Sequence, residues 1–331
     1  MQNAQPIHSN STFRDFYTFW LFRIMKEEVS ENTWNGYWLI ARVHLLPYFA
    51  DRVLSTISKE DIVTYYNTKL ESGLSKNTLR HHHANLTKAF SWALEKRLIT
   101  VNPAYKANRN ILARGKRFVG NYLTPSELQE CFRLFQGTKM ELPVLFGGLL
   151  GLRRSEICGL SWDCIDFHAK SIEIKQVYVN TINQAGQFEC LFKDSPKSES
   201  GHRILPLSDF LIHKLRYWKQ QQTLWQTKYS DSYNPEYYGF IFLHENGNLL
   251  TPNYISGTFS QVLKKNHFKH IRFHDLRHSC ATIMLEDLHC SLPDIQSWLG
   301  HSDLSTTAIY LHTRMDVMRS MASNMEMLMK A

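Results

Sequence analysis

Residues 274–310 read HDLRHSCATIMLEDLHCSLPDIQSWLGHSDLSTTAIY, and the rest of the chain is best understood outward from this stretch. His274 and Arg277 are three positions apart, so on a helix they share one face. Asp275 falls in the first turn, where a carboxylate favours the helix dipole. Leu276, Ile283 and Leu285 are placed to face a core behind that helix. Pro293–Leu299 predicts a second, short helix, and Gly300 is a good residue to follow its last turn. His301 comes next, held at that helix end. Ser305-Thr306-Thr307 offers a cap and Ala308-Ile309-Tyr310 starts another helical turn, so the tyrosine arrives from a separate element that approaches the His274–Arg277 face.

With 331 residues, about two domains are expected. A hydrophobic content of 43% is enough for real cores and argues against disorder. The formal charge of +8 favours a polyanionic partner, most simply nucleic acid. No apolar run approaches the roughly 18 residues of a membrane span, and the N-terminal MQNAQPIHSN lacks the basic-then-apolar pattern of a signal peptide. The six cysteines form no CxxC pair and are expected as reduced, mostly buried thiols of a cytoplasmic protein. His81, His82 and His83 are consecutive, point in different directions around a helix, and are poorly placed to share a metal.

The N-terminal part is expected to be helical. Thr12–Lys26 carries Phe13, Phe16, Tyr17, Trp20 and Ile24 at helical spacing. A second helix, from about Glu31 to Leu46, is opened by Ser30 or Asn32, with Pro47 near its end. Ser58 and Asp61 suggest a capping box for a third helix through Ile62, Tyr65, Tyr66 and Leu70, stopping at Gly73. A fourth opens at Ser75-Lys76-Asn77-Thr78 and runs to about Lys96, with Leu79, Leu86, Phe90 and Leu94 as its buried stripe. The expected domain spans residues 11–104. Residues 105–122 read as an exposed interdomain linker, because Lys106, Arg109, Arg114, Lys116 and Arg117 occur with no acidic residue. Such a linker, crossing DNA, would gain from counterion release.

The second domain, expected over 123–331, opens with Thr124 as cap, Pro125 in the first position and Glu127 in the third. A helix to about Phe135 and another over Leu142–Leu150 lead into Gly151-Leu152-Arg153-Arg154-Ser155-Glu156. Ser171–Val179 alternates as a strand, residues 183–186 turn, and Phe188–Phe192 returns. Further on come a long helix over Asp209–Thr227 with Leu211, Leu215, Trp218 and Leu224 inward, a surface loop, a buried strand Phe240-Ile241-Phe242, and a helix over Asn253–Lys265.

The pattern resembles the tyrosine recombinase, or phage integrase, family. His274 and Arg277 match its His-x-x-Arg box; Leu299-Gly300-His301 matches its Leu-Gly-His; Tyr310 stands nine residues beyond. Upstream, Gly151-Leu152-Arg153-Arg154-Ser155-Glu156 resembles the box holding the first catalytic arginine, which makes that residue Arg153 and Glu156 a supporting carboxylate. Pro196-Lys197-Ser198 resembles the hairpin that carries the catalytic lysine, with Ser198 where threonine is usual; Lys193 is the competing choice. The resemblance implies a mainly α fold with a small antiparallel sheet. It pairs a four-helix, SAM-like core-binding domain with an α+β catalytic domain. It further implies that Lys76, Asn77 and Arg80 approach duplex DNA, together with the linker residues Arg114, Lys116 and Arg117. Met318, Met321, Met325 and Leu328 form an apolar stripe suited to adaptable docking, expected to pack onto a neighbouring protomer of a homotetramer.

The chemistry is coherent on its own terms. Two guanidiniums, Arg153 and Arg277, can fork onto the phosphate oxygens of a five-coordinate phosphorus, with His301 as a further donor. Tyr310, whose unperturbed pKa is about 10, needs an acceptor for its proton, for which His274 is the candidate. Lys197 would protonate the departing 5′ oxygen. No metal or cofactor is expected. The phosphotyrosyl ester conserves bond energy, so a 5′ hydroxyl from another strand can reseal. Because type IB topoisomerases share this constellation, it is the family resemblance that implies a site-specific recombinase of a phage or mobile element, with a type IB-like topoisomerase and a non-enzymatic DNA-binding regulator as alternatives. Directionality or DNA-bending factors are possible partners, and an arm-binding domain is expected to be absent.

Overall fold

The structure is a computed structural model that describes residues 7–107, 121–182, 188–194 and 202–300. Mainly helical, with small antiparallel sheets, the chain divides into two compact units, Met1–Phe118 and Val119–Ala331. Among the described residues no helix is long and apolar enough to cross a membrane.

In the first unit, α1 (Phe13–Phe19) is capped by Thr12, whose hydroxyl accepts from the Asp15 amide. The chain then passes through a π-helical turn, Trp20–Met25, into α2 (Lys26–Glu28). A plain α-helix would have placed Ile24 in the core. The wider π turn shifts the register by one residue, so that Met25 is buried and Ile24 only half-buried. The same device recurs in the next hairpin arm. There α3 (Glu31–Ile40) runs through a π turn, Ala41–Leu45, into α4 (Leu46–Phe49). Pro47 therefore sits in the first turn of α4 rather than ending the helix, because the preceding π turn accommodates its missing amide donor. Ser30 is the cap residue, but its hydroxyl meets the Thr33 hydroxyl at 3.0 Å rather than a backbone amide.

Ser58 and Asp61 form the expected capping box on α5 (Lys59–Glu71), and Ser75 caps α6 (Lys76–Glu95). On α6 the buried face is Leu79, His82, Asn85, Leu86, Ala89, Phe90 and Ala93. Leu94 is 40% exposed, because Ala93 takes the inward position on that turn. Several inward polar groups are paired through one of their atoms. Tyr65 and His82 Nδ1 lie 2.8 Å apart, as do Tyr66 and His83 Nδ1, while the Tyr17 hydroxyl donates to Asn85.

In the second unit, α7 (Pro125–Phe135) carries the Thr124–Glu127 capping box with Pro125 in its first turn, and α8 (Glu141–Leu149) is buried nearly throughout. After α9 (Arg154–Cys158) come β1 (Ile165–Asp166) and β2 (Ser171–Ile174), which join β5 (Arg203–Pro206) in a three-stranded antiparallel sheet ordered β1-β2-β5. A separate hairpin pairs β3 (Gln176–Ile182) with β4 (Phe188–Asp194). The single strand expected over Ser171–Val179 is thus two, broken at Lys175, which leaves the ladder and pairs with Asp163 at 2.7 Å. Then follow α10 (Asp209–Tyr229), α11 (Pro252–Lys265), α12 (Asp275–Glu286) and α13 (Leu292–Leu299). On α10, Leu224 is 59% exposed; Ile212 and Gln222 are buried instead. Phe240-Ile241-Phe242 is no strand. Phe240 makes an isolated bridge to Ser161 and Ile241 donates to the Leu160 carbonyl, so a short apolar run is buried without a ladder.

Candidate active site

Gly151 decides the local path. Its φ of +64° lets the chain turn sharply after α8, a conformation a side chain strains. Arg153 follows as the extended residue that opens α9, and the amide of Arg153 donates to Glu156 Oε2 at 2.9 Å. The Arg153 Nη1 donates to Glu156 Oε1 at 2.6 Å. Glu156 is 0% exposed, and Arg203 closes on its other side, Nη2 to Oε2 at 3.1 Å and Nη1 to Oε1 at 3.3 Å. Burial pushes the Glu156 carboxyl up, but Arg203, Arg153 and Arg277 outweigh it and hold the group below the usual carboxylate range.

Three arginines then converge on one helix end. The carbonyl of Trp298 accepts from Arg203 Nε at 2.9 Å, that of Leu299 from Arg277 Nη2 at 2.7 Å, and that of Gly300 from Arg153 Nη2 at 3.1 Å. These are the carbonyls a helix C-terminus leaves without intrahelical donors, at the negative end of its dipole. Gly300 adopts the left-handed conformation expected of it, at φ 68°. Arg277, 2% exposed, also donates through Nη1 to the carbonyl of Gly151 at 2.6 Å, so it spans the first arginine box and the end of α13.

His274 opens α12, with its ring 5.0 Å from that of His278 and nearly perpendicular to it. His274 keeps an exposed face, while the packing around its ring partly desolvates it. That desolvation, with the charges of His278, Arg277 and Arg153, brings its pKa down to about 4, so the imidazole is neutral near pH 7. It lines a cleft of about 490 Å³ together with Arg153, Arg154, Arg272 and His270, and among the described residues no carboxylate lines the same walls. A cleft so built suits an anion. Asp275 does more than face the helix dipole: it clasps Arg272, accepting from Nη2 at 2.7 Å and Nε at 3.2 Å. Arg154 is held by Ser256 at 2.8 Å.

Of the positions singled out from the sequence, Arg153, Glu156 and Arg277 belong to this network and His274 to the adjoining cleft. Lys197, His301 and Tyr310 lie outside the described residues, as do Arg114, Lys116, Arg117 and the stripe from Met318 to Leu328. Lys193 is half-buried on β4. Lys76 and Asn77 are exposed in the first turn of α6, where Arg80 Nη1 lies 3.4 Å from Asn77 Oδ1. Arg203 was not singled out, although a signal was present. In β5 the alternation buries Arg203 and Leu205, and a charged residue in an inward strand position calls for a partner.

A family model described as the phage integrase family matches residues 135–316, more than half of the chain. The chain belongs to the phage integrase family. A second model, the N-terminal SAM-like domain of phage integrases, matches residues 12–70. Among its relatives, a XerC-like tyrosine recombinase of Caldanaerobacter subterraneus is 25% identical over 314 residues, 91% of this chain and 79% of that protein. The ICEBs1 integrase of Bacillus subtilis is 24% identical over 293 residues, 87% of this chain and 75% of that protein. In fold, the chain is similar to the Tn1549 transposon integrase solved with a circular intermediate DNA. The TM-score is 0.77 at 22% identity, covering 95% of this chain and 99% of that one. This integrase-family chain is accordingly an enzyme of DNA breaking and rejoining, and site-specific recombination is its class of reaction.

Proposed function

We propose that the chain is the integrase of a phage or other mobile element, and that it works through a covalent 3′-phosphotyrosyl intermediate on Tyr310. The observation that carries this is the clasp of Arg203, Arg277 and Arg153 on the carbonyls of Trp298, Leu299 and Gly300, beside a cationic cleft. It fixes the residue before His301 to the guanidiniums meant to hold the phosphate. The Tyr310 oxygen attacks phosphorus as its proton passes to neutral His274; the P–O5′ bond breaks and Lys197 gives its proton to the leaving oxygen. Arg153, Arg277 and His301 take up the charge that builds on the non-bridging oxygens, each such donor being worth roughly 10²–10³ in rate. A 5′ hydroxyl of another strand reverses the step and joins the strands.

Double-stranded DNA is the partner. The region 11–104, through Lys76, Asn77 and Arg80, and the linker, through Arg114, Lys116 and Arg117, contact its backbone. The catalytic region 123–331 works within a tetramer, the C-terminal Met318–Leu328 stripe docking on a neighbour. The fold of lambda integrase, solved as a tetramer on a Holliday junction, supports that assembly at a TM-score of 0.65. Relatives named as integrases of the ICEBs1 element and the Tn1549 transposon support the mobile-element assignment.

The test uses nicked duplexes of randomised sequence, in which the cleaved fragment diffuses away and the adduct is trapped. Denaturing gels recover the adduct, and sequencing reports the preferred site. An adduct that joins its strand to a second duplex is expected. Rejoining only within the original duplex would leave a relaxing topoisomerase, and no enrichment of any sequence would defeat the proposal.

A further inference from the structure

We propose that Arg203 is a positioning residue that sets the orientation of Arg153 through Glu156 and fixes the last turn of α13. The inference rests on the role given above to Arg153 and adds a residue to it. Arg203 is buried, its side chain 7% exposed, and opens β5 opposite Ile174 of β2. Its two terminal nitrogens occupy one side of the Glu156 carboxylate at 3.1 and 3.3 Å, and its Nε reaches the Trp298 carbonyl at 2.9 Å. With that side filled, Glu156 presents Oε1 to Arg153 Nη1 at 2.6 Å and Oε2 to the Arg153 amide at 2.9 Å. Arg153 Nη2 is thereby left aimed at the Gly300 carbonyl, 3.1 Å away.

Without Arg203, the buried carboxylate would be free to turn and take the Arg153 guanidinium as a two-toothed fork, the geometry such pairs prefer. Arg153 Nη2 would then leave Gly300, and the Trp298 carbonyl would lose the donor that Arg203 supplies. Stability alone does not account for the arrangement. Buried ion pairs are often matched or bettered by packed apolar residues, and here two guanidiniums share the Glu156 carboxylate. The shared carboxylate ties Arg203 to Arg153, which lines the anion-suited cleft.

The test compares wild type, Arg153→Ala, Arg203→Ala and Arg203→Lys on the adduct-forming duplex recovered from the randomised library. The scissile position carries either a phosphodiester or an uncharged methylphosphonate. A methylphosphonate needs less help from a cation, so a variant that has lost the Arg153 function is less impaired on it. Arg203→Ala is expected to slow adduct formation on the phosphodiester on the order of 10²-fold, as a misplaced catalytic group does. Duplex affinity should stay nearly unchanged, and the deficit should shrink on the methylphosphonate as it does for Arg153→Ala. Arg203→Lys, which keeps the charge without the fork, should lie between the two and carries the same comparison if the alanine variant does not fold. Equal slowing on both substrates by the Arg203 variants, with Arg153→Ala selectively relieved, overturns the proposal alone. Absence of relief for Arg153→Ala itself sinks the role assigned to Arg153, and the Arg203 proposal with it.

Discussion

Gly151→Ala is the perturbation whose cost follows most directly from the geometry. Gly151 holds φ at +64°, and an added Cβ would come within 2.4 Å of Leu299 Cδ2, 3.5 Å of Cys280 Sγ and 3.7 Å of Arg277 Cγ. A left-handed alanine costs about 1 kcal/mol before any contact. Carbon atoms pack at about 3.5–4.0 Å, so Leu299 must withdraw by about 1 Å or more. Overpacking of this kind costs about 1–3 kcal/mol. The expected loss is about 2–4 kcal/mol, or roughly 5–15 °C in the melting temperature of a unit of this size. The consequence for reaction is specific, because the Leu299 carbonyl accepts from Arg277 at 2.7 Å and the Gly151 carbonyl from the same guanidinium at 2.6 Å. A displacement of about 1 Å there should lower adduct formation on the order of 10²-fold. Urea unfolding of Gly151→Ala, Leu299→Ala and the double variant separates the two costs. Leu299→Ala alone leaves a cavity worth about 2–5 kcal/mol. In the double variant the clash is gone, so the combined loss should fall short of the sum by about 1–3 kcal/mol. Additivity within about 0.5 kcal/mol would refute the idea that the glycine is required by Leu299.

Other expectations come from the same network. Arg277→Lys cannot span the carbonyls of Gly151 and Leu299 with one ammonium, so single-turnover cleavage should drop on the order of 10²–10³-fold with little change in duplex affinity; an unimpaired lysine variant would show that the fork is unnecessary. Glu156→Gln leaves buried guanidiniums without their counter-charge and should cost about 3–5 kcal/mol in denaturant unfolding. Because the Glu156 carboxyl is depressed in the folded state, its stabilisation is present above its ordinary value of 4.5 and is lost as pH falls through the lower folded value, so wild type and variant should converge in strong acid. His82 is depressed as well, and its loss on acidification falls in a higher pH window. Burial, with His44, Lys69 and His81, brings it to about 4 from 6.5, so its contribution is complete above 6.5 and declines as pH falls toward 4. Unfolding free energies followed across that window should fall by roughly 3 kcal/mol on its account, less in His82→Phe; identical slopes in both proteins would remove His82 from the acid response.

Sequence patterning reveals what is local. Ser58 with Asp61, Thr124 with Glu127, and Gly300 after α13 each announce a helix end, because the side chain or the missing Cβ satisfies groups within a few residues. The spacing of His274 and Arg277 similarly places both at the start of α12. Features that depend on the third dimension stay hidden. Nothing in the helical period of Trp20–Met25 or Ala41–Leu45 signals a π turn, which is selected by what the following residues must bury. Lys175 breaks an alternation that looks continuous because the two halves serve different sheets. Leu94 and Leu224 fit helical stripes, yet neighbouring residues take the inward positions. Arg203 meets Glu156 and Trp298 across 47 and 95 positions of sequence, so only its inward place in a strand hinted at a partner.

The central claim is that one phenol attacks the phosphorus held by these cations. The most direct measurement is mass spectrometry of the protease-digested adduct, with the same preparation made from Tyr310→Phe. A peptide containing Tyr310, linked to the 3′ phosphate of the cleaved strand and missing from the variant, is the expected result. An adduct that survives in Tyr310→Phe, or a DNA-linked peptide from elsewhere in the chain, would contradict it.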